Sequence, residues 1–208
     1  HMKINCFKAY DVRGRIPDEL NPDIAYRIGN ATAVYLDARQ VVLGRDIRRS
    51  SEELAAAVAC GLTDAGADVL DIGLGGTEMV YFGTGHLGAD GGIMVTASHN
   101  PAPWNGLKLI RDDGIFLNAR DGALVEEAYH QQQQRTSATE GGSESIDADR
   151  VRDIYFDRLL AAVDVDLIRD ARLRAAIDPC NGTGGLYAHQ LLEALGVEAH
   201  LIHDEPNG

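Results

Sequence analysis

Residues 91–101 read Gly-Gly-Ile-Met-Val-Thr-Ala-Ser-His-Asn-Pro, and the interpretation of the chain starts from this stretch. The run at 93–96 is apolar and partly β-branched, which is typical of a buried strand. It leads into Ser98, just ahead of Asn100-Pro101. Because proline fixes its own φ and keeps the preceding residue out of the helical region, Ser98 is expected on a stiff loop. Such a serine can be a nucleophile, a phosphoryl carrier or an ordinary turn residue.

Strand and helix patterns alternate around this stretch. Strand runs at 41–43 and 69–72 are separated by helical patterns at 23–37, from Ser50 to about residue 65, and at 78–86. Ser50 and Glu53 have the spacing of a capping box. Residues 107–110 and 115–117 flank Asp112-Asp113-Gly114, which predicts a hairpin. The predicted fold class is therefore α/β, a mixed four-stranded sheet flanked by helices.

The second part of the chain has a different composition. Residues 130–145 are rich in Gln, Ser, Thr, Gly and Glu, which predicts a loop or linker. Strands at 173–177 and 197–202 with a helix at 183–195 then predict one βαβ unit, preceded by a helix at 151–162. Because one such unit leaves both sheet edges uncovered, we expect 1–148 to be a complete first domain and 149–208 the beginning of a second, similar α/β domain.

Charge and cysteine content restrict the partners and the compartment. The 208 residues carry a net charge of −13, which argues against nucleic acid and anionic membranes as partners. The three cysteines have no metal-like spacing, which favours a reducing, cytoplasmic compartment. No apolar run is long enough to cross a membrane. The oligomeric state leaves no signal in the sequence.

The residues around Ser98 bear on two kinds of chemistry. Neighbouring residues of an extended chain point to opposite faces, so His99 is not expected to act on the Ser98 hydroxyl as a base, and Gly-x-Ser-x-Gly is absent. A phosphoryl carrier would need nearby cations, since phosphoserine holds nearly two negative charges at neutral pH. Arg45 and Asp46 could form an internal pair that supports such a site. The glycine-rich turn at 178–185 is interpreted as a tight βα turn rather than a phosphate site.

Four motifs resemble one known family. The sequence Thr-Ala-Ser-His-Asn-Pro at 96–101, followed by Asn-Gly-Leu-Lys at 105–108, closely resembles the phosphoserine loop of the α-D-phosphohexomutases, which move a phosphoryl group between O1 and O6 of a hexose. Three further stretches match in order and spacing: Phe-Lys-Ala-Tyr-Asp-Val-Arg-Gly at 7–14, Val-Leu-Gly-Arg-Asp at 42–46 and Gly-Thr-Glu-Met-Val-Tyr-Phe at 76–82. The Gly-Thr-Glu form is similar to that of bacterial phosphomannomutases.

The resemblance implies a reaction and a role for each matching residue. It implies interconversion of mannose 6-phosphate and mannose 1-phosphate through a phosphoserine at Ser98 and a hexose 1,6-bisphosphate, which also acts as an activator. Lys108 would transfer a proton or stabilise the transferring charge, Arg13 would hold phosphate, and Tyr10 would line the pocket. His99 would shape the loop or donate to the phosphoserine.

The resemblance also implies a bound metal ion, for which this sequence contains only one of the expected ligands. Family members bind Mg²⁺ through the phosphoserine, here Ser98, and three aspartates of an Asp-x-Asp-Gly-Asp loop, which this sequence lacks. Members have four domains and more than twice this length. We therefore expect the chain alone to bind Mg²⁺ weakly and to lack turnover.

Other functions remain open from the sequence. Within the same class, phosphoglucomutase and phosphoglucosamine mutase remain alternatives, because the preferred sugar is inferred from loop style alone. A non-catalytic phosphosugar-binding or phosphorelay module is an alternative from a different class.

Overall fold

The computed structural model describes residues 4–131, 141–145 and 148–207. Six strands in the described residues form one mixed sheet: β1 (Val12–Arg15), β2 (Gln40–Arg45), β3 (Asp68–Leu74), β4 (Gly91–Val95), β5 (Trp104–Arg111) and β6 (Ser143–Ser145). Their order across the sheet is β1-β5-β4-β2-β3-β6. β2 pairs in parallel with β3 and β4, whereas β5 is antiparallel to β4 and β1. The carboxyl ends of β2, β3 and β4 therefore meet at one edge, where the loops that follow them are neighbours.

Helices cover both faces of this sheet. Those described against it are α1 (Pro22–Leu36), α2 (Ser51–Asp64), α3 (Thr77–Leu87), α4 (Ala119–His130) and α5 (Ala148–Ala161). Since successive strand residues face opposite sides, Val41 and Leu43 enter the core beneath α1, α2 and α4, while Val42 enters the core beneath α3 and α5. The predicted α/β class, a mixed sheet flanked by helices, is confirmed.

The predicted number of four strands is wrong, because the described part of the sheet has six. The two additional strands carry no apolar run. β1 is Val-Arg-Gly-Arg, with two half-exposed or exposed positions, and β6 is Ser-Glu-Ser, which joins β3 at the sheet edge through its backbone. Residues 143–145 are therefore strand rather than linker, and residues 132–140 of the predicted linker lie outside the described residues.

The hairpin expected after β5 is formed, although it is short. Phe116 bridges Ile110, the Arg111 N–H donates to the Ile115 carbonyl at 2.8 Å, and the Leu117 N–H donates to the Leu109 carbonyl at 2.9 Å. The chain then enters α4, which begins with a capping box in which Asn118 and Asp121 accept each other's backbone N–H groups. This Asn-x-x-Asp signal was present in the sequence and was missed.

The second part of the chain contains α6 (Val165–Asp170), β7 (Arg174–Ile177), α7 (Ala188–Ala194) and β8 (Glu198–Leu201). β7 and β8 form a parallel pair, so the predicted βαβ unit is confirmed. The single helix expected at 183–195 is divided, because a 3₁₀ turn over Thr183–Leu186 precedes α7.

Helix α5 connects the two parts. Its Val151 and Phe156 side chains are buried, and the helix packs against α3 and β3. The domain boundary expected between 148 and 149 falls at the first residues of α5, and it stays a prediction. Across the described residues, every helix is too short or too polar to cross a membrane.

Candidate active site

The loop after β4 presents Ser98 in an unusual backbone conformation. Ser98 has a φ of 54°, in the left-handed region, which costs roughly 1–2 kcal/mol for a residue with a side chain. Its N–H donates to Thr96 Oγ1 at 2.9 Å, and the Asn100 N–H donates to the Ala97 carbonyl at 3.1 Å. The Ser98 side chain is exposed. The loop therefore holds the hydroxyl outward on an ordered turn, as the sequence predicted.

Asp46 connects this loop to the neighbouring loop after β2. One carboxylate oxygen accepts from Thr96 Oγ1 at 2.7 Å, and the other accepts from Ser51 Oγ at 2.6 Å and from the Arg48 N–H at 3.0 Å. The expected pair between Arg45 and Asp46 is not formed. Adjacent residues at a strand end point in different directions, and Asp46 lies instead 3.5 Å from Arg48 Nε.

Asn105 provides a second connection to the beginning of α2. It is fully buried, and its amide nitrogen donates to Ser50 Oγ at 2.8 Å and to Ser51 Oγ at 3.0 Å. Ser50 was expected to cap α2, but it has helical backbone angles and its side chain makes no cap hydrogen bond. Its hydroxyl serves the loop contact instead.

Arg48 contacts the loop more extensively than any residue singled out from the sequence. Its guanidinium donates to the backbone carbonyls of three loop residues, Ser98, Asn100 and Pro101, and to that of Trp104, where β5 begins. Only 15% of its side chain is exposed. The sequence indicates it only as one of several cations near the motif loops, and its contact with these carbonyls could not be predicted because they lie about fifty residues along the chain.

Two cations converge on Asp11, beside the Ser98 loop. Asp11 Oδ2 lies 2.5 Å from Arg13 Nη2 and 3.5 Å from Lys108 Nζ. Strand register explains the convergence: Val12 pairs with Leu107, and Arg13 with Gly106, so Asp11, Arg13 and Lys108 occupy the same face. Arg13 Nη1 also donates to Asn100 Oδ1 at 2.5 Å, two residues from Ser98. Asp11 was not singled out from the sequence, although it lies inside a quoted motif.

Lys108 has a second neighbour. Its Nζ lies 5.3 Å from the centroid of the Phe116 ring, which in turn makes an edge contact with Tyr81 of α3. A carboxylate and an aromatic face are both attractive contacts for an ammonium. The Lys108 ammonium is therefore held between a carboxylate and an aromatic ring.

His99 and Tyr10 lie differently from expectation. His99 Nδ1 is 3.4 Å from Ser98 Oγ, although the sequence argument placed the two side chains on opposite faces. That argument assumed an extended backbone, and the left-handed Ser98 removes the alternation. Tyr10 is 75% exposed, and it is not among the residues that line the cleft in the described structure. Its role in substrate binding stays a prediction.

A cleft of about 500 Å³ lies in front of Ser98. One wall comes from the loops after β2, β3 and β4, and the other from the glycine-rich turn at 179–184. The turn interpreted as purely structural thus faces the same space as Ser98. The Tyr187 hydroxyl donates to Glu78 Oε1 at 3.2 Å and so joins the two parts of the chain. Burial raises the pKa of Tyr187, and the Glu78 carboxylate raises it further.

The described residues do not by themselves fit a magnesium ion. Mg²⁺ requires an octahedron of oxygen ligands, usually with carboxylates among them. The part of the chain that the structure describes contains no group of three or more His, Cys, Asp or Glu residues that could hold a metal. Two carboxylates belong to the hydrogen-bond network around the Ser98 loop, and both are already engaged: Asp46 accepts from hydroxyls, and Asp11 contacts two cations.

Comparison with solved structures identifies the fold. A structure of a putative phosphomannomutase from Thermus thermophilus matches 96% of the chain with a TM-score of 0.85 and 27% identity. A phosphoglucomutase/phosphomannomutase family protein from Burkholderia thailandensis matches the whole chain with a TM-score of 0.82 and 30% identity. In both cases the chain covers 46% of the solved protein.

Comparison with curated proteins and a family model agrees with this. A phosphomannomutase of Salmonella typhimurium is 44% identical over 99% of the chain, which spans 46% of that relative. A phosphomannomutase of Klebsiella pneumoniae is 60% identical over 58% of the chain, corresponding to 76% of that relative. The chain thus spans about half the length of most of these relatives. The model described as phosphoglucomutase/phosphomannomutase, alpha/beta/alpha domain I, matches residues 5–136. The chain therefore belongs to the phosphoglucomutase/phosphomannomutase family.

Proposed function

We propose that the protein carrying this chain is a phosphomannomutase, which interconverts mannose 6-phosphate and mannose 1-phosphate, and that Ser98 is its phosphoryl carrier. The single observation that carries the proposal is the position of Ser98. It stands on an ordered left-handed turn, and Asn100 of the same turn bonds to Arg13 at 2.5 Å. Through Asp11, that contact extends to Lys108.

The proposed reaction exchanges a proton for a phosphoryl group in each half. Phosphorylated Ser98 gives its phosphoryl group to the free hydroxyl of the hexose phosphate: the Oγ–P bond breaks as a bond forms between phosphorus and the sugar oxygen. The proton of that hydroxyl is lost, and Ser98 Oγ ends protonated. The resulting hexose 1,6-bisphosphate turns around and returns its other phosphoryl group to Ser98 by the reverse exchange.

The chain's own residues would act on charge and position. Phosphoryl transfer depends mainly on alignment and on neutralising the oxygens of the transferring group. Arg13 and Lys108 are the cations that could do this, because they lie at one carboxylate beside the loop. A phosphoryl group on Ser98 would compete with Asp11 for both. His99, 3.4 Å from Ser98 Oγ, could donate to the phosphoserine.

Two further parts of the proposal concern organisation and cofactors. We assign residues 1–148 to a first domain and residues 149–208 to the beginning of a second. We also propose that hexose 1,6-bisphosphate activates the enzyme by phosphorylating Ser98. A dependence on Mg²⁺ would need ligands other than the described carboxylates, so no step is assigned to it.

Mutation of Ser98 in the full protein tests the proposal. After incubation with glucose 1,6-bisphosphate, peptide mass mapping should place one phosphoryl group on the segment 96–101. Ser98→Ala should abolish both the label and the turnover of mannose 1-phosphate. Ser143→Ala is the matched control, because Ser143 lies on the exposed edge strand β6.

The same assay separates the alternatives. Glucose 1-phosphate and glucosamine 1-phosphate, tested beside mannose 1-phosphate, identify the preferred sugar. Binding of these sugars without turnover by the full protein would support a non-catalytic module. Full turnover in Ser98→Ala would refute the phosphoserine mechanism.

A further inference from the structure

Arg48 is surrounded by carbonyl oxygens of the Ser98 loop. Its Nη2 donates to the carbonyls of Ser98 at 2.9 Å and Asn100 at 2.6 Å. Its Nη1 donates to those of Pro101 at 3.1 Å and Trp104 at 3.0 Å. Each terminal nitrogen of a guanidinium has two N–H groups, so these four bonds use all of its terminal donors.

These contacts determine the path of the loop. The bonds to Asn100 and Trp104 are partly buried, and carbonyls withdrawn from water require donors, whereas the bonds to Ser98 and Pro101 lie at the surface. Arg48 is itself held in place, since its N–H donates to Asp46 at 3.0 Å and its Nε lies 3.5 Å from the same carboxylate. Without Arg48 the carbonyls would have to turn toward solvent, and the loop would take another course.

Two of the four carbonyls belong to residues of the candidate site. One is that of Ser98 itself, and another is that of Asn100, whose side chain receives the hydrogen bond from Arg13. Arg48 therefore fixes the proposed phosphoryl carrier and also its connection to the cations. Arg48 also borders the cleft in front of Ser98, but only 15% of its side chain is exposed and all its terminal donors are occupied.

We propose that Arg48 is a positioning residue for phosphoryl transfer at Ser98, and this rests on the proposed function of Ser98. Its guanidinium sets the direction of Ser98 Oγ through the backbone, because its four terminal donors are engaged by carbonyls and none is left for a phosphate. Lysine cannot replace it, because an ammonium is a point charge with three donors, whereas the planar guanidinium spreads its donors over the width of the loop.

The test compares Arg48→Lys and Arg48→Ala with Arg49→Ala in the full protein. Arg49 is the neighbouring residue, is exposed, and is the matched loss of charge. We expect kcat of both Arg48 variants to fall by ~10²-fold, the size of effect that a displacement of about 1 Å can produce. KM for the hexose phosphate should stay within a few-fold, and Arg49→Ala should resemble the unmodified protein.

Chemical rescue separates positioning from a general loss of structure. Guanidinium ion at millimolar concentration should restore part of kcat in Arg48→Ala, while methylammonium should not. Thermal melts measure the folded fraction of each variant. Where Arg48→Ala does not fold, Arg48→Lys, which keeps the charge and the aliphatic stem, decides the matter.

Several results would overturn the proposal. Unchanged kcat in Arg48→Lys would do so, as would a rise in KM at constant kcat, which would indicate contact with substrate. A loss of kcat that merely follows the loss of folded protein would reduce Arg48 to a structural role. Ser98→Ala in the same assay distinguishes the two proposals: if it stays active, the phosphoserine function fails, and if only Arg48→Lys stays active, the positioning role fails.

Discussion

Gly106→Ala is the most informative single perturbation of the framework around the site. Gly106 pairs with Arg13 in the register of β1 and β5. A Cβ atom at this position would lie 2.3 Å from the Val12 carbonyl oxygen and 2.9 Å from that of Thr96. Both contacts are with backbone, so no side-chain rotation can relieve them. β1 and β5 would have to separate by about 1 Å to restore an ordinary contact.

The expected cost follows from this displacement. Inserting a methyl group into a packed region whose backbone must move typically costs about 1–3 kcal/mol. For a chain of this size, ~2 kcal/mol lowers the thermal midpoint by roughly 4–8 °C. Because the displaced strand carries Arg13, turnover of the full protein should also fall, by up to ~10²-fold for a shift of about 1 Å.

The assay uses the single tryptophan, Trp104, which lies two residues before Gly106 in β5. Urea unfolding followed by its fluorescence reports on this part of the sheet, with the thermal midpoint as a second measurement. Gly122→Ala is the control: Gly122 lies in α4 with no atom near a built Cβ, so alanine should stabilise by ~0.5–1 kcal/mol. A Gly106→Ala protein as stable as the original would refute the reasoning from the backbone contacts.

Three other predictions concern the cations and the buried thiol. Arg13→Ala and Lys108→Ala should each lower turnover of the full protein by ~10²–10³-fold, as loss of a charge-stabilising group does. Their thermal midpoints should stay close to that of the control Arg111→Ala, which removes an arginine from an exposed ion pair with Asp113. Unchanged turnover in either variant would remove that residue from the site. Burial raises the pKa of the Cys6 thiol from 9.0 to about 11, so the two exposed cysteines should react with a thiol reagent at pH 8 and Cys6 only after unfolding. Because the folded pKa is the higher one, the stability contributed by Cys6 is complete below about pH 9 and is lost between pH 9 and 11; equal pH profiles for the unmodified protein and Cys6→Ala would contradict this.

Local patterns were sufficient for the elements that bury apolar side chains. The strands containing Val42 and Ile93 and the helices between them could be predicted from short-range hydrophobic patterns. The apolar residues that form the pattern are the same residues that are buried in the fold. β6 could not be found in this way: Ser143 and Glu144 are exposed, and the strand joins β3 through its backbone. α4 was missed for a different reason: its start is marked by the capping box of Asn118 and Asp121, which follows directly after the second arm of the short hairpin.

The site was only partly accessible from the sequence. Asn100-Pro101 indicated an ordered loop at Ser98, but the left-handed φ of Ser98 depends on Thr96 and Asp46, which are fifty residues apart. Arg48 likewise contacts carbonyl groups, which every residue possesses and no sequence pattern distinguishes. Contacts between distant segments, especially those to backbone, leave no periodicity to detect.

The position of Asp11 explains how an acidic chain can prepare a site for an anion. With a net charge of −13, this chain as a whole repels phosphate, so attraction must be local. Two cations held close together without an anion would repel each other, and Asp11 removes that repulsion by contacting both Arg13 and Lys108. A phosphoryl group on Ser98, with nearly two negative charges, can then compete with a single carboxylate for cations that are already oriented. The carboxylate thus weakens the resting attraction for phosphate, but it keeps the two cations in place for the moment of transfer.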